Sequence, residues 1–266
     1  MPLLRRVVAV LSFVAAAPLA AQSTPPVSVR LAYQNVADRY GGLLARAFDS
    51  IPASRYDYRP TPKQQSIGYI AQHLERANYE LCGTFGKMRH PMAAKDSLSD
   101  STKARWPKDT LVRRLKASLR FCDTALDRVQ AFDSFVDVSY LLGFETDLAE
   151  HYSQLSSYMR LIGMVPPSSL PPAPHTAITL SASALAPFVG VYEFIPGLQF
   201  DVKAADGALD ITSTVGTERR LLPSSANDFF AKDVDAQITF VRGASGAVTG
   251  LVLHQMGRDR TARKIR

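Results

Sequence analysis

The sequence predicts an α+β protein of two domains: an up-and-down four-helix bundle followed by a small antiparallel β meander or half-barrel. Four stretches with apolar residues at helical spacing occupy the first part of the chain. A proline-rich break follows them, and short alternating runs separated by glycine turns make up the rest. We therefore place the bundle at 22–164, the linker at 165–184 and the β domain at 185–266.

The first 21 residues have the pattern of a secretory signal peptide. Arg5 and Arg6 precede the apolar run Val7–Ala17, and the small residues Ala20 and Ala21 end the segment. The apolar run is too short to span a bilayer. A buried N-terminal helix is the alternative, but such a helix rarely begins with two adjacent arginines and ends in small residues. We expect a periplasmic or secreted mature protein with no membrane segment after cleavage.

Each of the four predicted helices carries an apolar stripe on one face. They cover about Leu31–Ser50, Lys63–Gly86, Asp109–Val129 and Val138–Ile162. The segment Lys87–Lys108 is polar and interrupted by proline, so we expect a long loop there.

Six short runs of β type follow the linker, and turn dipeptides such as Pro196-Gly197, Asp206-Gly207 and Ser245-Gly246 separate several of them. The runs are Phe188–Phe194, Gln199–Val202, Ala208–Thr212, Arg219–Leu222, Gln237–Val241 and Val248–Leu253. Their spacing predicts a meander that curls over its own core.

Charge argues against nucleic-acid binding. The chain has 31 Lys and Arg against 24 Asp and Glu, and acidic residues are interspersed almost throughout, so no sustained basic surface is predicted. Basic residues crowd only the last nine positions, where Asp259 interrupts them. That pattern suits a solvated last strand.

The two cysteines, Cys82 and Cys122, fall on the second and third predicted helices. In an exported protein they could form a disulfide that ties these helices together. The alternative is two separate buried thiols that pack as small hydrophobic groups.

Three side chains are candidate metal ligands. Asp147 and His151 lie one turn apart on the fourth predicted helix, and His73 lies at the flank of the second. Imidazole and carboxylate suit zinc, nickel, iron or manganese, and no organic cofactor is predicted. The alternative is that all three are surface or boundary residues, and no catalytic side chain beyond the ligands is assigned.

Two segments resemble DinB-like proteins over about Tyr33–Ser169: YDYRPTPKQQSIGYIAQHLERANYELCG and AEHYSQLSSYMRLIGMVPPSS. The resemblance implies a four-helix bundle with a divalent metal held by three histidines. His73 and His151 match two of those histidines, and Asp147 stands in place of the third.

The terminal segment, with FVGVYEF near its start, resembles the small β domain appended to β-lactamase-related hydrolases. That resemblance implies no catalysis. No Ser-x-x-Lys or Gly-x-Ser-x-Gly motif occurs in the chain, so a serine nucleophile is not predicted.

Two hypotheses for function follow. In the first, the protein is an exported metal-dependent enzyme of hydrolase or transferase type that acts on an unknown small molecule. In the second, it is a non-catalytic ligand-binding or scaffold protein that has lost the full metal triad. A helix face could also pair two copies into a homodimer.

Overall fold

The computed structural model describes residues 29–91, 97–129, 132, 134–172, 174–255 and 258–266. The predicted signal peptide at 1–21 lies outside the described residues. The chain is α+β, with helices in its N-terminal part and a closed antiparallel β-barrel in its C-terminal part. We call residues 29–161 the helical half and residues 190–264 the barrel. Within the described residues, no helix is both long and apolar enough to cross a bilayer.

The described residues contain six α-helices, so the prediction of four was incomplete. They are α1 (Val29–Ser50), α2 (Ile67–Phe85), α3 (Asp100–Lys103), α4 (Lys108–Arg128), α5 (Phe135–Leu161) and α6 (Ala182–Leu185). The unexpected α3 and α6 are single turns, in the predicted loop and the predicted linker. Ser99 and Ser181 cap them by accepting backbone N–H groups. One turn is too short to show an apolar stripe, so periodicity cannot find it.

The four long helices share one hydrophobic core. Both α1 and α2 pack against both α4 and α5. The core is built from the apolar stripes, and its largest fully buried side chains include Phe48, Ile70, Leu74, Leu115 and Phe144. This packing brings α2 beside α5, which is the arrangement on which the candidate site depends.

A disulfide joins α2 to α4. Cys82 and Cys122 are bonded, with their Cα atoms 5.1 Å apart, and both are buried. The bond closes a loop with a sequence separation of 40 residues. A loop of that length reduces the conformational entropy of the unfolded chain by an amount worth about 4 kcal/mol in the chain-entropy model.

Eight antiparallel strands form the barrel, paired in chain order and closed by β1 on β8. They are β1 (Gly190–Ile195), β2 (Leu198–Ala205), β3 (Ala208–Ser213), β4 (Glu218–Pro223), β5 (Asp228–Ala231), β6 (Ala236–Arg242), β7 (Val248–Gln255) and β8 (Arg258–Lys264). The prediction of an open meander or half-barrel was therefore wrong, because the sheet closes on itself. The run over β5 was missed because four residues are too few to show alternation.

The closing seam depends on the chain's last residues. The Val191 N–H donates to the Arg266 carbonyl at 2.9 Å, and the Ile265 N–H donates to the Val191 carbonyl at 2.8 Å. At Gly190, whose φ is +144°, a Cβ atom would lie 2.1 Å from the Arg266 carbonyl oxygen. Only glycine therefore permits this close approach of the two strands.

The barrel has its own core, built around Tyr192, Phe229 and Phe240. Ion pairs connect it to the helical half. Arg258 pairs with Asp38 and Asp123, and Arg260 also pairs with Asp38. The basic tail is thus not wholly solvated.

Candidate metal centre

Helix α5 provides two of the three candidate ligands. Ser134 caps its N-terminus, where its hydroxyl accepts the Asp137 N–H at 3.2 Å. From that start, Asp147 and His151 fall one turn apart on the same face of the helix. That face flanks the apolar stripe and is turned toward α2.

Helix α2 provides the third. It begins after Ser66, whose hydroxyl accepts the Tyr69 N–H at 3.2 Å. This places His73 opposite the α5 pair, with one ligand atom from each of the three side chains within 4.8 Å of the others. The structure thus brings together all three predicted residues, although they come from helices about 75 residues apart in sequence.

The three side chains converge through a single carboxylate oxygen. His73 Nε2 lies 3.6 Å and His151 Nε2 3.4 Å from Asp147 Oδ1. Exposure falls across the cluster, from 34% for the His73 side chain through 20% for Asp147 to 10% for His151. The site is therefore open to solvent on the His73 side and closed on the His151 side.

The charges within the cluster shift the pKa values of Asp147 and His151. Burial opposes ionisation of Asp147, but the hydrogen-bonding and positive charge of His151 and His73 outweigh it and lower the pKa of that carboxyl to about 2. Burial likewise acts to lower the pKa of His151, but the Asp147 carboxylate dominates and raises it. Asp147 is therefore ionised, and a positive charge is favoured beside it.

A hydrogen-bonded chain orients His151. Its Nδ1 lies 2.9 Å from Gln154 Oε1, and Gln154 Nε2 donates to the Tyr158 hydroxyl at 3.0 Å. The amide oxygen favours the tautomer with hydrogen on Nδ1, which leaves the lone pair of Nε2 directed toward Asp147. Gln154 lies three residues after His151, so the two side chains share one face of α5.

In this tautomer, acceptor atoms face one another across the cluster. A lone pair on nitrogen and a carboxylate oxygen repel unless a positive charge lies between them. The second carboxylate oxygen, Asp147 Oδ2, is also buried and has no hydrogen-bond partner among the described residues. In this tautomer the geometry favours a cation between the ligand atoms, either a proton on histidine or a metal ion.

Sequence reasoning missed Glu145, a second buried acid on α5. Its side chain faces away from Asp147 because two helical residues are separated by about 200°. Both carboxylate oxygens are buried without a partner among the described residues, and burial raises the pKa of Glu145 to about 8. Nothing in the local sequence indicated that Glu145 is buried, because its burial is decided by packing between helices.

Comparison with known proteins shows a family similarity in the C-terminal part of the chain. The family model of DUF3471, a domain of unknown function, matches residues 174–264. No curated protein matches the chain with significant similarity. The C-terminal part is thus similar to a domain whose function is itself open.

These findings correct both resemblances. No DinB-family model matches the chain, so the resemblance to DinB-like proteins was wrong. The terminal segment matches DUF3471 and forms a closed eight-stranded barrel, so its likeness to a small β domain of β-lactamase-related hydrolases was also wrong. Amphipathic helices with proline-rich connections recur in unrelated proteins, which explains the error. The case for a metal now depends on geometry alone.

Proposed function

We propose that the helical half binds one divalent cation through His73, Asp147 and His151, and that the protein is a metal-dependent enzyme of hydrolase or transferase type acting on a small molecule. The observation that carries the proposal is the convergence of two imidazole nitrogens on one carboxylate oxygen at a flank that solvent can reach. Two histidines and one carboxylate are a ligand set found in catalytic metal sites.

The two distances between histidine nitrogen and carboxylate oxygen fit such a set. Bonds of about 2.1 Å arranged tetrahedrally place neighbouring ligand atoms about 3.4 Å apart. The two nitrogen–oxygen distances of 3.6 and 3.4 Å lie close to that value. They are long for hydrogen bonds between histidine and carboxylate. Both separations are thus compatible with a cation shared by the three side chains.

Three protein ligands leave further coordination positions free, which is typical of catalytic rather than structural sites. A divalent cation held this way supplies Lewis acidity and lowers the pKa of water. The role of the chain is to hold the ligands. Gln154 and Tyr158 keep His151 in the coordinating tautomer, and the open side at His73 admits the substrate.

A proton is the competing occupant, and the raised pKa of His151 favours it. In that case the cluster is a buried ion pair, and the protein is a non-catalytic ligand-binding or scaffold protein. The two hypotheses differ in whether the purified protein contains metal.

We also propose that the protein is exported to the periplasm or secreted. The signal-peptide pattern of residues 1–21 supports this, and so does the Cys82–Cys122 disulfide, because disulfides persist mainly in oxidising compartments.

The test is elemental analysis of the mature protein, purified from the periplasm without a histidine tag and offered zinc, nickel, manganese and iron. We expect near-stoichiometric metal in the wild type and its loss in His151→Ala and His73→Ala. His175→Ala removes a histidine that lies against Phe230, outside the helical half, and is the matched control. A wild type that takes up none of the four metals, or a His151→Ala variant that keeps its metal, would contradict the proposal.

A further inference from the structure

The two ends of the barrel differ. One end is closed by the segment that leads into β1, where Leu185 and Phe188 are fully buried. The Phe188 ring packs against Phe229 and Phe240, with centroids 5.2 and 4.5 Å apart. This aromatic plug fills the barrel at that end.

A cavity of about 300 Å³ occupies the other end. Inward-facing side chains of the barrel strands line its wall, and most of them are apolar. They include Phe194, Phe200, Ile211, Leu221, Ile238 and Leu253. Phe194, Phe200 and Leu253 are only partly buried, so large apolar surfaces face this space without being fully covered. Eight-stranded barrels have an interior wide enough for packed side chains or for one small ligand.

The charged side chains that line the cavity are basic. Arg219 and Arg260 line the cavity, and the described lining residues include no aspartate or glutamate. Arg260 is already paired with the buried Asp38. Arg219 has weaker partners, since it lies 3.4 Å from Asp233 with both side chains largely exposed, and it donates to the carbonyl of the neighbouring Glu218 at 2.8 Å. Arg219 is therefore the cation that can exchange its partner for a ligand.

The register of the sheet fixes the direction of Arg219. It lies opposite Ile211 on β3, which also lines the cavity. The next residue, Arg220, lies opposite Asp210 and forms an ion pair with it at 3.2 Å on the outer face. Two adjacent arginines on one strand thus face opposite sides of the barrel wall.

We infer that the open mouth of the barrel binds a small amphipathic carboxylic acid, with its apolar chain inside the barrel and its carboxylate on Arg219. An engineered cavity of about 150 Å³ accepts benzene, so about twice that volume suits a medium-length acyl chain. The site is separate from the metal centre and does not depend on it.

The test is isothermal titration of the full mature protein with three ten-carbon probes: decanoate, decanol and decyltrimethylammonium. We expect saturable binding of decanoate about tenfold tighter than that of decanol, because a hydrogen-bonded charge at the mouth contributes on that order. The cationic probe should bind most weakly, since Arg219 and Arg260 repel it.

Variants separate the two halves of the inference. Arg219→Gln should bring decanoate binding down to the level of decanol, whereas the matched control Arg220→Gln should leave both unchanged. Val215→Glu, at an exposed position of the cavity wall, should weaken decanoate alone. Ala236→Phe should fill the cavity and weaken both ligands, with circular dichroism to verify folding.

Three results would overturn the inference. They are no saturable binding of any probe, equal affinities for decanoate and decanol, or equal effects of Arg219→Gln and Arg220→Gln. Sedimentation with phosphatidylglycerol vesicles tests whether the acyl chain and anionic group come from a membrane lipid instead of a free acid. Binding to vesicles without binding of free decanoate would assign the mouth to a lipid surface instead.

Discussion

The helical half buries charged and polar side chains between its helices, whereas the barrel is filled with aliphatic and aromatic ones. Buried polar residues of the helical half include Asp38, Glu75, Asn78, Glu145 and His151, while among the described barrel residues only Ser213 is both polar and buried. Helices meet along flanks where a polar side chain can find a partner or reach solvent. Eight strands turn alternate residues into one narrow interior, which favours apolar groups. Buried charge is therefore found between the helices, whereas the barrel offers an apolar interior.

The largest expected effect tests whether the two cores are independent. Phe188→Ala should destabilise the barrel by about 3–5 kcal/mol, because it removes a fully buried ring from the aromatic plug. Denaturation would be followed by calorimetry and by the fluorescence of Trp106, the single tryptophan, which packs on the helical core. We expect the fluorescence transition to move little. If both transitions shift together, the halves unfold as one unit and the comparison fails.

The control for this substitution is Phe135→Ala. Phe135 is 86% exposed at the start of α5, so its truncation should change stability by less than about 0.5 kcal/mol.

The disulfide should stabilise the helical half alone. Replacing both Cys82 and Cys122 with alanine should lower the free energy of unfolding by about 2–4 kcal/mol, since the unfolded chain regains its loop entropy. Trp106 fluorescence in urea measures the change. Dithiothreitol should lower the wild type to nearly the same value and leave the double variant unaffected. Unchanged stability in the double variant would show that α2 and α4 are held by packing alone.

Buried acid in the helical half should make its stability depend on pH. The folded pKa of Glu145 is about 8, above its ordinary value of 4.5, so the folded state retains a proton that the unfolded state has released. Stability should therefore fall as pH rises from about 4.5 to 8 and stay low above that. Glu145→Met should make this decline shallower and gain about 2 kcal/mol at pH 8, and the raised pKa of His151 should account for the fall that remains above pH 6.5.

Glu80, exposed on α2, provides the control for that measurement. Glu80→Met should preserve the wild-type pH profile. A Glu145→Met profile as steep as that of the wild type would show that Glu145 does not cause the decline.

The smallest effect concerns the start of α2. Ser66→Ala should cost about 1 kcal/mol, because the Tyr69 N–H loses its acceptor at a buried helix end. Urea denaturation measures it. Ser99→Ala, which uncaps only the single turn α3, should cost less. Equal costs would indicate that the local cap, rather than the length of the helix it starts, sets the value.

Local patterns were sufficient to place the four long helices and most of the strands. Predicted and observed helix boundaries agree within four residues, and most strands lie where alternation and glycine turns predict them. Asp206-Gly207, for example, forms the β2–β3 turn with positive φ at both residues. The single turns α3 and α6 and the four-residue β5 were missed because they are shorter than any detectable period.

Some features of the candidate site could likewise be predicted from the sequence, and others could not. The spacing of Asp147 and His151 is a property of one helix, so it can be read from the sequence. The approach of His73 and the burial of Glu145 depend on how separate helices pack, and no local pattern contains that information.

By itself, the sequence determined the type and order of the longer elements and the chemistry available on each, because periodicity and turn residues act over a few positions. Only the tertiary structure decided that β1 pairs with β8 to close a barrel, leaving an apolar mouth beside Arg219. The partners in that seam lie about 70 residues apart and share no local signal. Their pairing follows from the accumulated twist and stagger of all eight strands.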